Sequence, residues 1–416
     1  MVANSNLITK SPSGPVLLTL PIEPGNIEPG ADNQLLFTRS GVVDWSNLRG
    51  TDLAGLPWNA IFTSASDLAP FAVGSNFELP TGSYAFASTL ALGTSGLIVP
   101  AGATVLLKGF GTDKLITSAH ATATLQVSGN ARIETLAVEG TNSEAIRVNT
   151  SGNIRSDRCR WVNTGGTRIA TLNGAATWRD ILGVFSSSSS GVRLTSSGNL
   201  LSLAGVDLTF IGVEGGIFNS STGSTVLLDR VNILGRTPIN FNDSTGILTL
   251  QNCSIQGTGG QPAVRLQTGT RVLIQGGTLD ASGVYPIQVQ GPVTSLNVAN
   301  TRLINGGILI GGNIADALLV SGCSAGNSAG ANSFIEYSSG TVRAASVNGN
   351  RAGTTVGITW AAANIPANGL MIVGNLFDSG LGTGFAFNGF TEASARVNAK
   401  ANIDTGTLMS ETPIVP

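Results

Sequence analysis

Hydrolysis of a glycosidic bond needs two carboxyl groups roughly 5–10 Å apart, one serving as acid and the other as base or nucleophile. The chain has 24 acidic residues in 416, so few pairs qualify. Asp157 and Asp180 stand out. They lie 23 residues apart, beside Arg158 and Arg179 respectively. In a fold that repeats at about that interval they take equivalent places on neighbouring turns, as a catalytic acid pair with the arginines orienting a sugar. The same residues also suit a plainer role, because Asp is common at chain corners and each has an Arg at hand. A second such set, Glu139, Arg160 and Asp207, is more widely spaced.

Other chemistry is poorly supplied. His120 is the sole histidine, and Cys159, Cys253 and Cys323 are too scattered for a zinc pattern. Gly109-Phe-Gly111 is too short for a phosphate loop. No metal and no cofactor is therefore expected, and any enzymatic activity would be that of an endo-glycosidase. Binding is better provided for. Arg147, Arg193 and Arg265 recur at matching places, and Phe185 and Phe218 stand beside them as rings that stack on sugars. These five are the candidate glycan-binding residues; solvated charges or contacts to a neighbouring subunit would use them equally well. The charge is −2 overall, from 22 basic and 24 acidic residues. No basic stripe marks a nucleic-acid binder, and no apolar run reaches the ~18–20 residues of a membrane span. Neither partner is expected.

A repeat positions these residues. An apolar anchor recurs at Ile133, Ile154, Thr177, Leu201, Val226, Leu248, Val272, Leu296, Leu318 and Val342, at intervals of 21 to 25 residues. Two residues on from most anchors the chain is apolar again. The next inward positions come at five and seven, so a two-residue corner breaks the strand alternation. Four residues past the anchor stand Gly205, Asn252, Gly276, Asn300 and Gly322, types that accept a left-handed backbone. A third short strand follows, as in Ala145–Val148, Gly191–Leu194 and Ala263–Leu266. Three strands per ~23-residue coil describe a single-stranded right-handed parallel β-helix, all-β, whose ten coils span roughly 45 Å at ~4.8 Å each. The three cysteines share the place five residues after the anchor. Lying three and four coils apart, they are too distant for a disulfide. Glycine at 55 of 416 and only 11% charged residues fit strands and corners better than helices.

The ends differ. Residues 1–75 carry Pro12, Pro15, Pro21, Pro24, Pro29 and two Glu-Pro-Gly motifs, an irregular arm or small module. The helix proper runs over 76–397, and 398–416 form a tail or cap. The N-terminus has no charged start or apolar core of a signal peptide. Phe77-Glu-Leu-Pro-Thr-Gly-Ser-Tyr84, then Ile98-Val-Pro-Ala-Gly-Ala-Thr-Val105 and Leu107-Lys-Gly-Phe-Gly111, resemble the first coils of pectate-lyase-like β-helices in bacteriophage tailspikes and tail fibres. That resemblance implies a homotrimeric virion protein, assembled in the host cytoplasm and mounted on the tail or head through residues 1–75. It implies binding of a host surface polysaccharide or lipopolysaccharide. A polysaccharide-degrading spike and a non-enzymatic head spike are the alternatives.

Overall fold

The computed structural model describes residues 6–11, 14–19, 35–39, 42–46, 58–110, 114–211, 215–326, 333–353, 356–360, 364–377, 385–388 and 396–404. From Ala60 onward the described chain winds as a right-handed parallel β-solenoid of about 13 turns. Each coil lays one strand on each of three parallel sheets. The first sheet runs from Ala60–Phe62 to Val397–Lys400, the second from Leu90–Ala91 to Ile403–Asp404, and the third from Asn76–Glu78 to Phe385–Asn388. Parallel pairing thus begins before residue 76 and continues past 397. A single strand, Val264–Gln275, bends from the third sheet into the first. Ahead of the coils, Leu35–Arg39 pairs antiparallel with Val42–Ser46, and Asn6–Ser11 with Gly14–Thr19. The Glu-Pro-Gly motifs and the chain beyond 404 lie outside the described residues.

Alternation decides which side chains go in. Along Thr225–Asp229, Val226 and Leu228 are buried while Leu227 is 37% exposed. Stacked coils turn each inward position into a column. The anchor column reads Ala131, Ile154, Trp178, Leu201, Val226, Leu248, Val272, Leu296, Leu318, Ala345, Leu370 and Val397. Three anchors read from sequence are corrected. Ile133 is inward but two residues along its strand, and Val342 lies three before the true rung at Ala345. Thr177 is one residue early, since Ile154 pairs with Trp178. A slip of one exchanges every inside and outside position on that coil.

The corner between first and second sheets explains the glycines and asparagines. Its first residue is left-handed in coil after coil: Arg158 at φ 50°, Leu182 at 55°, Gly205 at 61°, Asn252 at 52° and Gly322 at 61°. Non-glycine residues accept this strain because the corner N–H is committed to the next coil. Arg158 N donates to Ile181 O at 2.9 Å and Arg230 N to Gln251 O at 2.8 Å. The second corner residue is an apolar filler on some coils, as at Leu136, Val206 and Val231, and on others it turns inward and carries a donor. Cys253 Sγ reaches Leu228 O and Gln251 O, both at 3.4 Å, and Cys323 repeats the pattern on Val298 O and Ser321 O. Thr301 does so by its hydroxyl. In the last coils Asn350, Asn375 and Asn402 stack as an amide ladder: Asn350 N donates to Asn375 Oδ1 at 3.0 Å, and Asn375 Nδ2 to Val347 O at 2.8 Å. The cysteines are buried and free, and their thiols serve as weak donors to the backbone as well as filling space.

Asn375→Ala removes the side-chain acceptor of the buried Asn350 N–H, a side-chain donor to Val347 O and one of the two Asn375 donors to Asn402 Oδ1. It should destabilise the fold by roughly 2–4 kcal/mol, read as a fall in unfolding midpoint. Asn398→Ala, on the exposed side of the first sheet, should stay within about 0.5 kcal/mol.

Candidate functional site

The slipped register bears directly on the acid pair. Asp157 faces outward, its Oδ2 3.2 Å from Arg158 Nη2. On the next coil the residue opposite it is Ile181, while Asp180 lies opposite Ser156. Asp180 therefore points into the solenoid and is 1% exposed. The two carboxyls lie on opposite sides of the first sheet and do not face a common substrate. Arg179 is exposed on the outer side, away from Asp180.

Asp180 belongs to an internal polar cluster. Its Oδ2 accepts hydrogen bonds from Ser156 Oγ and, at 3.0 Å, from Trp161 Nε1, while Trp178 Nε1 donates to Ser156 Oγ at 2.8 Å. The two indoles meet edge to face at 5.2 Å. Gly183 leaves the corner empty for this carboxyl: a Cβ there would stand 2.0 Å from Asp180 Oδ1. Burial pushes Asp180 up to about 6, only partly offset by the bonds from Ser156, Trp161 and the Gly183 backbone. Phe185 is corrected by the same slip. It is 1% exposed and packs 5.3 Å from Trp178, so it presents no face to a glycan. Trp161 and Trp360 are core residues, as their stacking positions suggest. His120 is a turn residue whose Nδ1 accepts from Thr122 N at 3.0 Å, and burial lowers its pKa.

The other recognition candidates do come together. The central outward residue of each third-sheet strand forms one column, in which Arg147, Thr171, Arg193, Phe218, Asn240, Arg265, Gln288, Leu309 and Glu336 occupy successive rungs. At one end Arg147 holds Glu144 with a fork of 2.9 and 3.1 Å, Thr171 Oγ1 donates to it at 2.5 Å, and Arg168 stands 3.8 Å away. At the other end Tyr285 OH donates to Glu336 and accepts from Ser333 N at 2.9 Å; burial raises the phenol well above its usual range. Between them the Arg193 guanidinium lies 5.2 Å over the Phe218 ring, and Arg265 Nη2 donates to Gln261 Oε1 at 2.6 Å. Burial lowers Arg265 from its ordinary value, though guanidinium stays charged. Asn240 and Gln288 belong to this site too. The repeat places them at the same mid-strand position as Arg193, and the sequence reading weighed only the charged and aromatic members.

A shallow depression of about 640 Å³ lies elsewhere, on the outer first sheet among Leu319, Ser346, Met371, Arg396 and Asn398. Among the described residues no cluster of His, Cys, Asp and Glu is arranged to hold a metal. No family model matches the chain, and no curated protein matches it.

Because folding raises the Asp180 pKa, the folded state keeps this proton to higher pH than the unfolded chain. Stability is therefore greatest below about pH 4 for this group and is lost as pH rises through about 6. A two-unit shift sets an upper figure of about 3 kcal/mol. Asp180→Asn should flatten the fall in melting temperature across that window. An unchanged slope would contradict the assignment.

Proposed function

We propose that the protein is a phage virion component, a homotrimeric tailspike or fibre that binds a host surface polysaccharide or lipopolysaccharide during adsorption. The third-sheet column from Arg147 to Gln288 carries this reading. It sets guanidinium, aromatic and amide groups in a straight row at ~4.8 Å steps, a spacing suited to a polar chain ligand lying along the rod. Flanking hydroxyls and amides, such as Thr268 Oγ1 on Asn242 Oδ1 at 2.8 Å, add further sugar-like hydrogen-bonding capacity. The chain ahead of Ala60, where the coils begin, supplies the attachment to tail or head. The resemblance of 77–111 to tailspike β-helices supports the virion setting. Cleavage of the glycan gains no support from Asp157 and Asp180, which face opposite ways.

The first sheet favours self-association. Its outer column reads Leu227, Thr249, Leu273, Asn297, Leu319, Ser346, Met371 and Asn398. Apolar knobs alternate with short polar residues, and Leu227, Leu319 and Met371 are 37–42% exposed. No charge interrupts the column from Leu227 to Asn398, whereas Arg132, Arg155 and Arg179 occupy its earlier rungs, so a second copy meets the later coils without burying an unpaired ion.

Light scattering of the purified chain should give three times 42.2 kDa, about 127 kDa. Leu273→Glu with Leu319→Glu should return it to a monomer with unchanged far-ultraviolet circular dichroism. A parent that is already monomeric would overturn the spike. On arrayed bacterial surface polysaccharides the protein should bind without generating new reducing ends. Binding to none would overturn the glycan reading.

A further inference from the structure

Resting on that glycan-binding reading, we infer that the ligand is an acidic saccharide, and that Arg193, Phe218, Asn240 and Arg265 form the subsite for its charged unit. The argument starts from charge along the column. Both ends are settled: Arg147 and Arg168 face Glu144, and Glu336 is engaged by Tyr285. The middle is not. Among the described residues neither Arg193 nor Arg265 has an acidic partner within ion-pair distance, although both guanidiniums are partly withdrawn from water.

Three of the six buried side-chain polar atoms without a hydrogen-bond partner among the described residues fall in the same place, the others being Asp180 Oδ1 inside the solenoid and two asparagine Oδ1 atoms elsewhere. Arg193 Nε, Asn240 Oδ1 and Arg265 Nε are buried and have no hydrogen-bond partner. They occupy three of four successive rungs, with Phe218 as the fourth. Folded proteins leave few such atoms unpaired, because each forfeits its hydration without recompense. Three on one outward column mark a surface whose partner comes from outside the chain.

The chemistry of that partner follows from the groups. A guanidinium presents a planar fork that matches a carboxylate or a phosphate two bonds at a time. The Phe218 ring offers an apolar face between the charged rungs, and Asn240 both donates and accepts, as sugar hydroxyls require. Arg193 and Arg265 are three rungs apart, about 14 Å at 4.8 Å per rung, so the ligand extends over more than one sugar ring. An acidic oligosaccharide satisfies all of this. A neutral one leaves two desolvated cations without a counter-charge.

The test uses the full chain on immobilised acidic bacterial polysaccharides, each also presented after chemical reduction of its carboxyl groups or after removal of its phosphates. The parent should bind the untreated polymer at least about tenfold more tightly than the neutralised one, and added salt should weaken the first far more than the second. Which treatment abolishes the difference identifies carboxylate or phosphate. Arg193→Gln with Arg265→Gln should lose that tenfold preference, while Arg302→Gln, exposed on the second sheet, should keep it. Arg193→Lys, which keeps the charge but not the fork, should fall between; it guards against misreading a folding defect, as does an unchanged melting temperature in every variant. Equal binding of acidic and neutralised polymers overturns the acidic subsite and leaves glycan binding standing. Binding to none overturns both.

Discussion

Everything in this molecule depends on the corner between the first and second sheets. A parallel coil closes only if the chain turns sharply within two residues, which forces the first of them into left-handed backbone and leaves carbonyls facing inward. The solution is the same from coil to coil in kind but not in residue. The left-handed position is held by Gly, Asn, Arg, Leu, Thr or Ala, its N–H bound to the next coil as at Arg158 and Arg230. On the coils of Cys253, Thr301 and Asn375 the inward position supplies a thiol, a hydroxyl or an amide to backbone carbonyls, while Leu136, Val206 and Val231 fill it with apolar side chains. Where Gly183 supplies nothing, Asp180 fills the space from one strand earlier. Stability in such a stack accrues between neighbouring coils, so each corner secures the register of the next.

Register in turn fixes the two faces of every strand, and this is where the sequence was both most and least legible. Period and corner chemistry were plain, since Gly205, Asn252, Gly276, Asn300 and Gly322 recur at one place. The third-sheet arginines and Phe218 were correctly placed outside because apolar residues flank each arginine (Ile146 and Val148, Val192 and Leu194, Val264 and Leu266) and Ile217 precedes Phe218. The coil at 177–187 was not legible in the same way. Thr177 and Trp178 both fit an anchor, and Leu182 stands at a left-handed corner where Gly or Asn is the usual signal. Choosing Thr177 turned Asp180 and Phe185 outward. The structure turns both inward, because a tryptophan pair and a large ring fill that section of core. Nothing in spacing alone reveals that an aspartate replaces a corner side chain.

The exterior divides by sheet. The first sheet carries an uncharged, half-apolar ladder along its later coils, the second is mostly short and polar, and the third bears the column of guanidinium, ring and amide groups. The proposed division of labour gives the rod one face for its own copies and another for a polar chain ligand. The internal Asp180 cluster lies apart from both proposed surfaces. It is a structural carboxyl, with Trp161, Trp178 and Ser156 around it.

The most direct test of this division is hydroxyl-radical footprinting of the protein with and without a bound surface polysaccharide. The account predicts that the ligand protects Phe218 and its neighbours on the third-sheet strands 190–195, 239–242 and 264–268, while reactivity at Leu319 and Met371 stays the same. Protection centred on the first-sheet depression around Met371, with Phe218 as reactive as before, would contradict it.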